Sequence, residues 1–166
     1  DSTGTREALG RGSVQFMSAG TGIRHSEHNL ESKPLRFVQI WINTRRDGLA
    51  PAYGGFDGTS DAAIAARSNA LAQLVGDKKA NASAPVLIEQ DVRMFVSELS
   101  ADASVRFPLA AGRMAYLLCV EGRLSLSDGA GGAKAASCEL VRHDAVEIRG
   151  GGELVMQAPN DGPAHL

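Results

Sequence analysis

Gly12-Ser13-Val14-Gln15-Phe16-Met17-Ser18-Ala19-Gly20-Thr21-Gly22-Ile23-Arg24-His25-Ser26-Glu27-His28-Asn29 holds the chemistry-bearing residues of this chain: a strand-like run, a glycine-rich turn, then His, Glu and His within four positions. In extended backbone, side chains two residues apart share a face, so the His25 imidazole and the Glu27 carboxylate point together. His28 has the opposite parity and points away unless the chain turns there. Imidazole plus carboxylate, completed by further His, suits Fe(II), Mn(II), Ni(II) or Cu(II), and a Glu ligand can also take and release a proton. A plainer reading is a surface His beside an ion-pairing Glu, because two donors from one segment hold a metal weakly and leave it largely solvated.

Outward from this stretch, the chain is dominated by short runs rich in Val, Ile, Leu and Phe, bounded by Gly, Asp, Asn or Pro, a pattern that predicts strands. Strands are expected at 13–17, 36–43, 92–99, 115–120, 123–127, 145–149 and 153–157, with further candidates at 104–107, 137–141 and 86–88. Gly122 and Asp128-Gly129 suit hairpin turns between antiparallel strands. The Ala-rich run 59–75 reads as a helix by propensity, with Ser60-Asp61 as N-cap and Gly76 as stop. In a β-rich context it splits into a short helix near 60–67 and a strand near 70–75, since tertiary pairing overrides propensity. Residues 76–83 then form a polar loop, and 51–83 as a whole reads as a connection between domains.

The 166 residues carry 17 Lys plus Arg against 19 Asp plus Glu, a formal charge of -2, so no global field draws the chain to nucleic acid or to an anionic membrane. No apolar stretch approaches the ~20 residues of a membrane helix, and the opening residues lack a signal-peptide core. Cys119 and Cys138 are too few for a disulfide framework and read as buried thiols in a reducing compartment. Asn81-Ala82-Ser83 matches a glycosylation sequon of low specificity. Gly129-Ala-Gly-Gly-Ala-Lys134 lacks the spacing of a phosphate-binding loop and the hydroxyl residue after its Lys, and Gly20-Thr-Gly22 lacks a third Gly before a helix. Both read as turns. The chain opens on Asp1-Ser-Thr-Gly4, turn chemistry of the kind that joins two strands, and closes on Pro163-Ala164-His165-Leu166 directly after a strand-like run. The expectation is a preceding segment, and one more strand or a tail at the end.

The run Gly12-x5-Ser18-x-Gly20 followed by His25-x3-Asn29 resembles the second cupin motif, with Ser18 where Pro is usual and two extra residues before the His. The longer run from Gly12 to Asn29, followed by Phe37-Val-Gln-Ile-Trp-Ile-Asn43, is similar to the pirin family. The resemblance implies an all-β fold of two tandem cupin domains, each a double-stranded β-helix barrel, with the first truncated. The expected boundaries are 1–56 for the back part of the metal-bearing N-terminal cupin, 57–83 for a connection with a short helix, and 84–166 for a C-terminal cupin without metal ligands. In that family the first cupin holds iron through three His and one Glu. His25 and Glu27 match the later two ligands, while the first two, a His-x-His pair, have no counterpart here. Around 107–112, where a metal-binding second cupin would carry His-x-His, there is no His.

The resemblance further implies a metal-dependent dioxygenase acting on flavonols such as quercetin when the upstream ligands are present. Fe(II) is the first expectation for the cofactor, with Mn, Ni, Cu or Zn as alternatives. Glu27 is then ligand or base, and Phe16, Met17 and Trp41 are candidate apolar walls of a substrate pocket, against the plainer reading of core packing. The alternative is a non-catalytic protein-interaction module, akin to the family's iron-binding transcriptional co-regulator. Expected partners are the upstream segment of the same protein, a small aromatic substrate and protein partners, with no membrane and no direct nucleic-acid contact. An intracellular, cytoplasmic location is expected, with nucleus or organelle left open.

Overall fold

The computed structural model describes residues 1–2, 4–80, 83–129 and 136–166. Asn81 and Ala82 of the sequon, and residues 130–134 of the glycine-rich run, lie outside the described residues. The elements, in chain order, are β1 (Val14–Ser18), β2 (Ala52–Phe56), α1 (Asp61–Arg67), β3 (Ala72–Asp77), β4 (Val86–Ile88), β5 (Met94–Val96) and β6 (Glu98–Leu99). They continue with β7 (Ser104–Leu109), β8 (Met114–Leu118), β9 (Glu121–Ser127), β10 (Ser137–Val141), β11 (Ala145–Arg149), β12 (Gly152–Gln157) and β13 (Ala164–His165). The all-β reading holds, with one short helix among the described residues. No helix among the described residues is long and apolar enough to cross a membrane. The contacts divide the chain into two compact units, residues 1–60 with 73–94, and residues 61–72 with 95–166.

In the first unit β1 and β2 pair antiparallel, from Val14↔Phe56 to Ser18↔Ala52. β2 falls where the sequence predicts a connection: Gly54 and Gly55 erase the apolar alternation that marks a strand, and the ladder to β1 forms it nonetheless. A Cβ on Gly55 would stand 2.8 Å from the Glu7 carboxylate, so the missing side chain is what lets Glu7 lie there. β3 and β4 pair in parallel, Val75↔Val86 to Asp77↔Ile88. Gly76 and Asp77 are therefore strand residues, and the polar loop predicted from 76 begins only at Lys78.

The expected strand at 36–43 is absent from the ladders. It is rich in Val, Ile and aromatic residues, as strands are, but a strand is defined by partners for its N–H and C=O groups, and none of the described strands pairs with this run. Its side chains stay in solvent: Phe37 is 61% exposed and Trp41 86%. The run ends in a firm anchor. Arg45 grips Asp77 through both guanidinium nitrogens, Nη1 lying 2.9 Å from Oδ1. The Arg45 amide donates to the Glu89 carbonyl at 2.9 Å, and Gln90 Nε2 donates to the Asn43 carbonyl at 2.7 Å.

The second unit carries an antiparallel sheet in the order β6-β13-β9-β12-β7, with β10 also on β9. β8 and β11 form a separate antiparallel ribbon, Ala145↔Leu118 to Arg149↔Met114. Inward positions alternate along the strands and meet in cross-strand rows, such as Val105, Met156 and Leu126, or Leu140 and Leu124. These side chains, with Leu99, Leu117, Cys119, Leu154 and Leu166, make one core cluster. Each such leucine contributes roughly 1.5–3 kcal/mol by leaving water. The reading of a buried Cys119 holds, whereas Cys138 is exposed on β10.

Gly122 is not a hairpin turn. It lies within β9 opposite Ala164, with φ 79°, and a Cβ there would stand 2.1 Å from the Pro163 carbonyl oxygen. Glycine is needed for the close approach of β13, not to reverse the chain. The expected strand at 92–99 is broken at Ser97, whose amide and carbonyl bond Leu166 at 2.9 and 3.0 Å. Residues 164–165 form the short strand β13, which sequence pattern alone does not predict. The helix and strand into which 59–75 was divided are present as α1 and β3, the strand displaced two residues toward the C-terminus.

Candidate metal-ligand segment

The segment bearing His25 and Glu27 is positioned by the turn that follows β1. Gly22 N–H donates to the Ala19 carbonyl at 2.7 Å. Gly20, with φ 52°, has the Leu49 carbonyl oxygen 2.0 Å from where a Cβ would sit, so only glycine fits beneath that neighbouring strand of chain. Past the turn, Arg24 is tied to Ser2: the Ser2 amide donates to the Arg24 carbonyl at 2.7 Å, and the Arg24 amide donates to Ser2 Oγ at 3.0 Å. On the far side Asn29 closes a turn, accepting from the Glu31 amide at 3.1 Å and donating to the Lys33 carbonyl at 2.8 Å.

Between these two anchors the side chains alternate. His25 Nε2 lies 3.9 Å from Glu27 Oε1, the two side chains being 31% and 36% exposed. His28 Nε2 meets Ser26 Oγ at 2.9 Å. The odd positions thus associate with each other and the even positions do likewise, as extended parity predicts, although the segment belongs to no strand. Two donors sharing one ion at a right angle, with bonds of about 2.1 Å, would stand about 3 Å apart. A small rotation of either side chain closes that difference. The donor chemistry fits a divalent metal, but the donor number does not: among the described residues no group of three or more His, Cys, Asp or Glu comes together. His143 and His165 belong to the second unit, His143 in the turn after β10 and His165 in β13.

The three candidate pocket residues are not brought to one wall. Phe16 and Met17 are consecutive in β1 and face opposite sides of it; Phe16 lies under Gly54, 3.6 Å from a Cβ built there. Trp41 stands in solvent within the run 36–43, which joins none of the described ladders. A polar cluster that sequence reading passed over sits on the Met17 face of the same hairpin. Tyr53 hydroxyl donates to Glu7 Oε2 at 2.5 Å, and Gln15 Nε2 donates to the Tyr53 oxygen at 3.2 Å. Partial burial, and then the hydrogen bond to Glu7, push the Tyr53 phenol above its ordinary range. The only sequence signal for it was the parity of Gln15 with Met17, and without β2 there was nothing to place Tyr53 opposite them.

Two family models match the chain: one described as pirin over residues 1–42, and one described as the quercetinase C-terminal cupin domain over residues 74–165. Among curated proteins, a pirin-like protein of Caulobacter vibrioides is 34% identical over 138 residues, covering 79% of this chain and 57% of the relative. A quercetin 2,3-dioxygenase of Escherichia coli is 31% identical over 142 residues, covering 84% of this chain and 55% of the relative. The chain spans about half the length of these relatives. No solved structure matches it.

Proposed function

Because the chain belongs to the pirin family of cupin proteins, we propose that it is part of a metal-dependent dioxygenase acting on flavonol-type substrates such as quercetin. His25 and Glu27 are its two ligands from this chain. The observation that carries this reading is the pairing of the imidazole and carboxylate at 3.9 Å, inside the segment that the pirin model matches. The name carried by the Escherichia coli relative supports the substrate class. The remaining donors come from outside the described residues of this chain, and Fe(II) is the metal proposed, on the strength of the family resemblance. When bound, such an ion supplies a Lewis-acid and redox centre for a deprotonated flavonol hydroxyl. The chain's own contribution is to present Nε2 of His25 and Oε1 of Glu27 on one side of a segment held at Arg24 and at Asn29. The Glu27 carboxylate can additionally take the proton that the substrate hydroxyl releases.

The test is Fe(II) or Mn(II) binding by calorimetry under anaerobic conditions, together with oxygen uptake on quercetin, for the parent, His25→Ala and Glu27→Gln. Loss of a donor should weaken metal binding by at least about tenfold and reduce oxygen uptake at least as much. Full metal affinity and full activity in both variants would remove the site.

A second reading, a non-catalytic interaction module, is favoured by one feature: the exposed apolar side chains Leu35, Phe37, Val38, Ile40 and Trp41 in a single run. Exposed apolar surface of this kind marks a face that associates with protein partners. Metal binding without quercetin-dependent oxygen uptake would favour this reading.

A further inference from the structure

Strand β6 is the outer strand of the six-stranded sheet, paired with β13 through Leu99↔Ala164 and Glu98↔His165. Its other side is covered by the residues leaving α1. Ser68 bridges to Glu98 in parallel, and the Asn69 amide donates to the Glu98 carbonyl at 2.9 Å. The Ser100 amide donates to Asn69 Oδ1 at 2.7 Å. Asn69 Nδ2 returns a bond to Ser100 Oγ at 3.3 Å. Asn69 takes φ 52°, a left-handed conformation that Asn tolerates better than most residues, and this turns the chain from the helix onto the strand. Just before it, Arg67 is 4% exposed and its Nε donates to Glu98 Oε1 at 3.1 Å. Ala63, one turn earlier on the same face, is also buried, and Leu71 beyond packs against the barrel core.

We propose that residues 61–71 form a releasable strap that seals the open edge of β6, and that the ion pair of buried Arg67 with the partly exposed Glu98 holds it shut. Two physical arguments support separate opening. The strap bonds to one edge of one strand, whereas β9 and β12 are paired on both sides, so the strap belongs to the weaker end of the local-unfolding range. Its hold also depends on charge: taking away the Glu98 carboxylate removes an opposite charge from the buried Arg67 guanidinium, which costs more than replacing both groups with apolar ones. What the strap prevents is clear from sheet chemistry, since an uncovered edge strand is a template for another chain.

Native-state amide exchange, read by mass spectrometry on the whole protein, tests this. Glu98→Gln should speed exchange at residues 64–69 by about tenfold or more while β9 and β12 exchange as in the parent. The double variant Arg67→Met with Glu98→Leu, which removes both charges, should return residues 64–69 to slow exchange. The proposal is overturned by parent-like protection at 64–69 in Glu98→Gln, or by β9 and β12 accelerating in step with it. It is overturned equally by a double variant as fast as the single one.

Discussion

Asp77 is 5% exposed, and its carboxylate sits in the fork of Arg45 while also accepting from the Lys79 amide at 2.9 Å. The Arg45 hydrogen bonds, then the Lys79 amide, hold its carboxyl below the usual carboxylate range. A folded-state value below the unfolded one stabilises the charged form. The contribution is therefore complete above the unfolded carboxylate value of about 3.9 and is lost as pH falls through the lower folded value. Asp77→Asn should destabilise the protein at neutral pH, and urea midpoints measured from pH 6 downward should fall less steeply in the variant than in the parent. Equal acid slopes would mean that Asp77 gains nothing from Arg45. Sequence reading put this residue in a solvated loop, because Asp77-Lys78-Lys79 looks like surface and the guanidinium that pairs with it lies 32 residues earlier. By contrast, His25 and Glu27 were legible, since their association needs only the two-residue parity of extended backbone.

Strands show how far local pattern reaches. β9, β11 and β12 could be read directly, because each sends alternate side chains into one core and is bounded by Gly or Asp. The run at 36–43 has a strand's Val, Ile and aromatic content and no ladder, while β2 has a ladder and almost no alternation, with glycines at Gly54 and Gly55. Pattern reports what a strand would bury, and only a neighbour supplies its hydrogen bonds. β13 makes the point most sharply, for two residues give no pattern, yet they bond β6 on one side and β9 on the other. Leu166, just beyond, is 9% exposed and belongs to the core cluster. Deleting residues 164–166 removes those ladder bonds and one buried leucine side chain, together roughly 4 kcal/mol or more. Thermal unfolding followed by circular dichroism should show a large drop in midpoint or loss of the cooperative transition. An unchanged midpoint would mean that β13 is peripheral.

At the scale of the whole molecule, Trp41 is the single tryptophan of the chain and is 86% exposed, so its fluorescence reports on the apolar run alone. Emission should be red-shifted and acrylamide should quench it nearly as well as free indole; a blue-shifted, protected signal would mean that the run is covered, as exposed apolar faces are when they meet their partner. The family and the all-β architecture were legible from Gly12 to Asn29 together with the spacing of the later strands. The division of contacts was not, because α1 looks like the start of a connection and packs instead with the second unit. The place of β13 between β6 and β9 also has a kinetic side. Glu98 pairs with His165, 67 positions later in the sequence, so β6 gains its sheet partner only by closing nearly the whole loop of the second unit. Such closure is entropically slow. The hairpin of β9 and β10 can form early, whereas the first strand of the sheet in sequence is among the last to be locked in time.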